Sequence, residues 1–239
     1  KRGGRRSRLA QRAAKPVIDP CPPGQPGGAY KPLSEADLQN IYDTALRLLA
    51  ELGMGEVPER LRRDLLSAGA VDNGKGRILF PRALTEEAID RAAKRFILHG
   101  RDEARSIEVG GDKVYFGTGG AAVQTLDIDT GLYRPSTLED LHGLTRLQDT
   151  LANVSWYTRC CVATDVPDNF DLDVNTVYAL LKNTTKPTAT SFTLAEHVEP
   201  IVKMLDIAAG GEGGFSRRPH MKAHISPVIS PMRYGEDGV

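Results

Sequence analysis

Cysteine is scarce in this 239-residue chain, which has Cys21, Cys160 and Cys161 and no others. Adjacent Cys160 and Cys161 point to opposite faces of a strand, so the three make no disulfide framework, and a secreted disulfide scaffold is excluded. No apolar run approaches the roughly 20 residues of a membrane span, and no short apolar segment follows the basic N-terminus as a secretory signal requires. The setting these absences suggest is cytoplasmic, with no membrane partner. An initiator Met and an obvious stop pattern are also missing, so the chain reads as truncated at both ends. Hydrophobic residues make up 40% and charged residues 26%, enough apolar material for a sizeable core in one or two domains.

Net charge is zero, but the charge is unevenly placed: Lys1 to Lys15 holds seven basic residues and no acid. A Pro/Gly-rich run, Pro16 to Gly28, follows. Residues 1–30 read as an arm. Counterion release would let it grip RNA or an acidic partner, yet it has no aromatic residue for stacking before Tyr30, and a solvated tail is the preferred reading, with no nucleic-acid partner.

Ordered structure is expected from Ser34, a good N-cap, with Leu38, Ile41, Tyr42, Ala45, Leu48, Leu49 and Leu52 at helical steps and Gly53 as the stop. A short helix over Pro58–Ala68, a turn at Asp72–Gly76 and a strand at Arg77–Phe80 come next. A third helix is expected to be capped by Thr85 and to run to about Arg95. From Phe96 to Arg134 the period is two, which predicts a β-meander or hairpin stack whose best turn is Asp127–Gly131. Thr137 and Asp140, spaced as a capping-box variant, open a helix over Leu138–Leu151.

From Asn153 onward the chain alternates strand and helix. Strands are expected at Val154–Ala163, Pro187–Thr193 and Met221–Ile229, with crossover helices at Asn169–Lys182 and Leu194–Ala209. This is the pattern of a parallel sheet with right-handed crossovers. Three strands cannot close a barrel, which takes about eight. The organisation is an arm (1–30), an N-terminal α+β region (31–135) and the first part of a β/α region (136–239).

Several segments, in order, resemble one known family. They are the RRGGR-like basic arm, YKPLSEADL, FGTGGAA (Phe116–Ala122), STLEDL (Ser136–Leu141), VPDN (Val166–Asn169), TTKP (Thr184–Pro187) and SPVISPMRY. Together they resemble the trimethylamine methyltransferase family of amine:corrinoid methyltransferases, over nearly all of the chain. The resemblance implies an α/β fold with a partial, TIM-type β/α barrel preceded by an N-terminal helical and β-hairpin region. The full barrel of the family is about twice this length. It further implies transfer of a methyl group from a methylated amine, either trimethylamine or a quaternary amine such as glycine betaine. The acceptor is the Co(I) of a corrinoid (cobalamin) carried by a partner protein, and a homo-oligomer is expected at full length. Trimethylamine-specific members carry pyrrolysine in the second half of the barrel, beyond Val239. The alternative is a non-catalytic, truncated binding or assembly module.

Barrel sites gather at the carboxyl ends of strands. Those ends supply Arg159, Cys160, Cys161 and Asp165, then Ser191 and Phe192, then Ser226, Ser230 and Arg233. For substrate binding the candidates are Arg159, Asp165, Phe192 and Arg233. Phe192 suits one wall of an ammonium cage, Arg159 or Arg233 a betaine carboxylate, and Asp165 the amine cation. Each has a plainer reading, core packing for Phe192 and structural ion pairs for the arginines. Asp168 reads as the cap of the next helix. His220 and His224 share a strand face but lack a third ligand at recognisable spacing, so no metal is expected. Gly117–Gly120 is followed by a strand pattern rather than a helix, which argues against a phosphate loop.

Overall fold

The computed structural model describes residues 19–235. The basic run Lys1–Lys15 lies outside them. Of the Pro/Gly-rich stretch, strand β1 (Gln25–Pro26) pairs antiparallel with Lys113–Val114. Ser34 opens helix α1 (Glu35–Arg47) as expected. Its hydroxyl accepts from the Asp37 amide at 3.2 Å, and the Asp37 carboxylate accepts from the Ser34 amide at 3.1 Å. The helix continues as a π-helical turn, Leu48–Leu52, ended by Gly53, whose N–H donates to the Leu48 carbonyl at 2.9 Å. Leu38, Ile41 and Tyr42 on the expected apolar stripe are exposed, whereas Leu46, off that stripe, is buried.

Strand β2 (Met54–Gly55), helix α2 (Glu59–Ser67), β3 (Val71–Asp72) and β4 (Arg77–Leu79) follow, and β4 pairs antiparallel with both β2 and β3. Helix α3 spans Arg82–Arg91, starting and ending earlier than the Thr85–Arg95 expectation. Pro81 presets the backbone for its first turn, and Arg82 bonds both Glu86, one turn on, and Asp43 of α1. Ala92 then turns to extended backbone, so Arg95 begins a strand instead.

The alternating stretch does not form one meander. Strands β5 (Arg95–Leu98) and β6 (Ile107–Gly110) make a hairpin, while β7 (Lys113–Val114) takes β1 as its partner. Strand β8 (Phe116–Gly117) leaves for a different sheet. The cause is the positive-φ pair Gly110 and Gly111, at 133° and 65°, which redirects the chain between β6 and β7. Strands β9 (Gln124–Leu126) and β10 (Tyr133–Pro135) form the hairpin expected around Asp127–Gly131, where Asp127 Oδ1 accepts from the Thr130 amide at 2.9 Å.

Helix α4 (Leu138–Thr150) carries the expected capping box, with the Thr137 hydroxyl accepting from the Asp140 amide and the Asp140 carboxylate accepting from the Thr137 amide. Arg134 adds two bonds to the same carboxylate, at 2.6 and 2.9 Å. Arg134, then the Thr137 bonds, hold the Asp140 carboxyl well below its ordinary range against the opposing effect of burial. A carboxyl depressed on folding contributes stability that is present above its unfolded pKa, about 4, and is lost as the pH falls from there. Urea midpoints measured from pH 6 down to pH 2.5 should therefore fall more steeply for the wild type than for Asp140→Asn. Parallel acid limbs would contradict the assignment.

Strand β11 (Val154–Thr158), helix α5 (Asn169–Asn183), β12 (Thr188–Thr190), a 3-10 turn (Ala195–His197), helices α6 (Val198–Ala208) and α7 (Gly214–Arg217), and β13 (Met221–Ala223) complete the alternating part. The expected parallel sheet is there, ordered β13-β12-β11-β8, with Tyr157 beside Thr188 and Thr188 beside Met221. Strand β8 is an unforeseen fourth member. Helices α5 and α6 cover one face, where Tyr157, Val177, Leu180, Leu181, Ile201, Leu205 and Met221 form the main core. The amino end of the sheet is tied to helix ends. Lys186 donates to the Gln148 and Leu151 carbonyls of α4 at 2.7 and 2.8 Å, and Arg101 donates to Leu181 and Thr184 at the end of α5.

The third expected strand, Met221–Ile229, is cut in two. After Ala223 the chain leaves the parallel sheet, and β14 (Val228–Ile229) and β15 (Arg233–Tyr234) form a hairpin that joins β2. Pro227, between the two parts, has no N–H to continue a ladder. Arg77 fastens this return by donating to the carbonyls of Leu52, Gly53 and Met232 at 2.7, 2.8 and 2.7 Å. The described residues thus form a mixed α/β fold of helices and several small sheets. No helix among them is long and apolar enough to cross a membrane.

Candidate functional site

The carboxyl ends of β8, β11 and β12 converge through specific bonds. The Thr118 hydroxyl donates to the Thr158 carbonyl at 2.7 Å and accepts from the Thr158 amide at 2.9 Å. Ala122 bridges Cys161, donating to the Cys160 carbonyl at 3.0 Å and accepting from the Val162 amide at 2.9 Å. The Gly117–Gly120 segment is thereby stitched to the end of β11, while Gly119 and Gly120 face open space.

Beside this seam Arg159 donates to the Ser191 hydroxyl, just past the end of β12, at 3.0 Å. Burial pulls the guanidinium below its ordinary value, opposed by the carboxylate of Asp173. Asp173 is 1% exposed. Its Oδ2 accepts from the Thr193 amide, the Thr193 hydroxyl and Nδ1 of His197, each at 2.8 Å, and its Oδ1 has no hydrogen-bond partner among the described residues. Phe170 meets the His197 ring edge-on at 5.2 Å. The Ser191–His197 loop, which carries Phe192, is thus anchored to α5 through one carboxylate.

The four substrate-binding candidates are not all brought together. Arg159 and Phe192 lie around the same loop, Phe192 packed against the main core and Arg159 on the neighbouring Ser191. Asp165 stands at the open amino end of α4, accepting from the Leu138 amide at 2.8 Å. Arg233 sits on β15 in the other sheet, paired with Glu56 at 2.8 Å. Asp168 caps α5 as expected, accepting from the Asp171 amide at 2.9 Å. His220 is buried edge-on against Phe215 while His224 is exposed, and no group of three or more potential metal ligands occurs among the described residues.

Sequence reasoning missed Asp173 and His197. A signal existed for the first: Asp173 shares the buried helical register of Thr176, Val177 and Leu180, where an acid needs a partner. His197 gave none, since its bond to Asp173 spans a loop and a helix. The other face of the sheet was missed as well. With Tyr157 and Met221 turned toward the helices, Trp156 and Lys222 point away from them, and the Lys222 ammonium lies 4.4 Å from the indole centroid. The cluster at the strand ends holds a guanidinium, a carboxylate–imidazole pair and several hydroxyls. It suits holding and orienting a small charged molecule.

Comparison with known proteins gives these positions a context. The family model described as trimethylamine methyltransferase (MTTB) matches residues 1–238. Trimethylamine methyltransferase MttB of Desulfitobacterium hafniense (strain DSM 10664 / DCB-2) is 26% identical over 202 residues, 84% of this chain and 40% of that protein. Glycine betaine methyltransferase of Desulfitobacterium hafniense (strain Y51) is 26% identical over 208 residues, 87% of this chain and 43% of the relative. Trimethylamine methyltransferase MttB1 of Methanosarcina mazei is 23% identical over 203 residues, 82% and 40% of the two chains. The chain spans about two fifths of the length of these relatives.

Proposed function

This chain belongs to the trimethylamine methyltransferase family, and on that premise we propose that it is part of a cytoplasmic enzyme that takes a methyl group from a methylated amine and delivers it to a partner-borne corrinoid. The observation that carries this reading is the family match over residues 1–238. The parallel strands β11, β12 and β13 and the crossovers α5 and α6 support a further step, in which the 136–239 region is the opening part of a TIM-type barrel. In the same reading, residues 31–135 are an N-terminal α+β region that lends β8 to the parallel sheet and receives the β14–β15 hairpin on β2.

The corrinoid, when its partner presents it, supplies the nucleophile that accepts the methyl group. This chain's residues then have to hold the amine, exclude water and align one methyl–nitrogen bond. A quaternary amine leaves as a neutral amine, taking the bonding electron pair with it, so it needs an aromatic or anionic cradle more than a proton donor. Arg159, Phe192 and Asp165 are the proposed substrate contacts at the strand ends, and Arg233, on the second sheet, would serve only a ligand reaching that far. The mouth suits a group brought by another protein: Gly119 and Gly120 face open space, and His224 and Ile225 beyond β13 are exposed.

The test is to express the complete reading frame that encodes this chain and mix the product with a reduced corrinoid protein. Trimethylamine, glycine betaine and carnitine are then offered separately. Methylation of the corrinoid, followed by its visible spectrum, with release of the matching demethylated amine is expected from at least one. Transfer from none would sink the enzyme reading and favour a binding or assembly module.

A further inference from the structure

We propose that Cys160 and Cys161 form a redox-active vicinal dithiol, a site at which a peroxide oxidises the pair to an intramolecular disulfide. Adjacent side chains in a regular strand point to opposite faces, but β11 ends at Thr158, before either cysteine. Past that end both thiols lie on the helix side of the sheet. Cys161 is 1% exposed in a cluster with Leu141 of α4 and Ala179 of α5, and the half-buried Cys160 packs against the same cluster. The helices that cover the pair are both part of this chain, so its surroundings are set by elements already described.

Tyr157 helps to give the two sulfurs different roles. Its hydroxyl lies 3.1 Å from the Cys160 Sγ. Burial, then Cys160 itself, pushes the phenol above its ordinary value, so Tyr157 keeps its proton and donates it to the sulfur. The Cys161 thiol first, and the phenol after it, draw Cys160 below its ordinary value against the opposing effect of burial. Cys161 is displaced upward, by Cys160 and by burial. The half-buried sulfur is thus the thiolate and nucleophile, and the buried one beside it keeps its proton, as a resolving thiol requires.

With hydrogen peroxide as oxidant the step balances. The Cys160 thiolate attacks one peroxide oxygen, the O–O bond breaks, and the departing hydroxide takes up a proton from solvent to become water, leaving Cys160 as a sulfenic acid. The Cys161 sulfur then attacks the Cys160 sulfur. The S–O bond breaks, and the hydroxide leaves with the Cys161 proton as a second water. The pair loses two electrons and the peroxide gains them. Adjacent Cα atoms stand about 3.8 Å apart, closer than the roughly 4.4–6.8 Å of most disulfides, so the ring has to bend the backbone and stays readily reducible. That backbone carries the seam at the end of β11: the Cys160 carbonyl accepts from the Ala122 amide at 3.0 Å, and the Val162 amide donates to the Ala122 carbonyl at 2.9 Å. Oxidation should therefore loosen the Gly117–Gly120 segment beside Arg159.

The test uses the 239-residue chain carrying Cys21→Ser, which removes the exposed third thiol. Hydrogen peroxide should convert it to a monomer lighter by two hydrogens, with Cys160 and Cys161 joined within one peptide, and dithiothreitol should restore both thiols. In Cys161→Ser the reaction should stop at a sulfenic acid on Cys160, which dimedone traps. In Cys160→Ser no such adduct should form. Tyr157→Phe should oxidise about fivefold more slowly, the scale of one hydrogen bond. Hydrogen exchange at the Ala122 and Val162 amides should quicken on oxidation and recover on reduction.

A sulfinic acid on Cys160 with no link to Cys161, disulfides between chains only, or two thiols left unreacted in a folded protein would each overturn the proposal. Because no methyl transfer is read, the outcome stands apart from the enzyme reading.

Discussion

Alanine at Gly53 should destabilise the chain by about 4 kcal/mol, combining backbone strain with overpacking. Gly53 ends the π-helical turn with φ 65° and ψ −161°, a region that only glycine occupies comfortably. A Cβ there would lie 2.1 Å from the Ile78 carbonyl oxygen and 2.8 Å from its carbon, both backbone atoms of β4 that cannot rotate away. The Gly53 and Leu52 carbonyls are also acceptors for Arg77, which binds the β14–β15 hairpin to the same sheet through Met232. Disturbing Gly53 should therefore loosen the amino-terminal sheet and the returning hairpin together. Gly69→Ala is the control, since Gly69 also has positive φ, 103°, but a Cβ added to it would meet no atom within 4 Å. Urea midpoints should separate the two variants widely, and equal midpoints would show that the close approach to Ile78 has no energetic consequence.

Asp173→Ala is expected to cost about 3–5 kcal/mol, since each buried donor left without an acceptor costs about 1–3 kcal/mol. The substitution would strip the acceptor from three donors at once: the Thr193 amide, the Thr193 hydroxyl and His197 Nδ1. His197 is itself 6% exposed, so water cannot readily replace the lost oxygen. Asp173→Asn keeps one acceptor oxygen, and its loss should be visibly smaller. Chemical denaturation of both variants measures the difference, while hydrogen exchange at the Thr193 amide reports whether the loop itself has come loose. If Asp173→Ala unfolds at the wild-type midpoint, the carboxylate is not the anchor of the Ser191–His197 loop. Since Arg159 is held on Ser191 of that loop, the same variant should also blunt any binding that depends on Arg159.

Much of the architecture was legible because it rests on short-range chemistry. Ser34 with Asp37, Thr137 with Asp140, and Asp168 with Asp171 are caps closed within one helical turn, and all three stand in the structure. The Asp127–Gly131 turn and the alternation of β11, α5, β12, α6 and β13 are local in the same sense. The failures have a common origin in contacts between distant segments. Phe116–Gly117 read as one more rung of a meander because its true partner, Val154–Trp156, lies nearly forty residues on. The third strand read as continuous because nothing near it announces that β15 will pair with β2.

The candidate site divides along the same line. Arg159 and Phe192 could be placed at strand ends because these are visible as the place where an apolar run stops. Asp165 could be placed there too, though its backbone partner at Leu138 was not foreseen. Asp173, His197 and Lys222 were passed over, since each takes its meaning from a partner on another element.

By itself the sequence determined the caps, the turns, the strand–helix alternation and the family, all of which are set by residues within a few positions of one another or by their order along the chain. Only the tertiary structure decided which strands share a sheet, that Asp173 holds the loop after β12, and that Lys222 lies on Trp156. Those contacts depend on the chain closing over long separations, and the side-chain types alone admit many such closures.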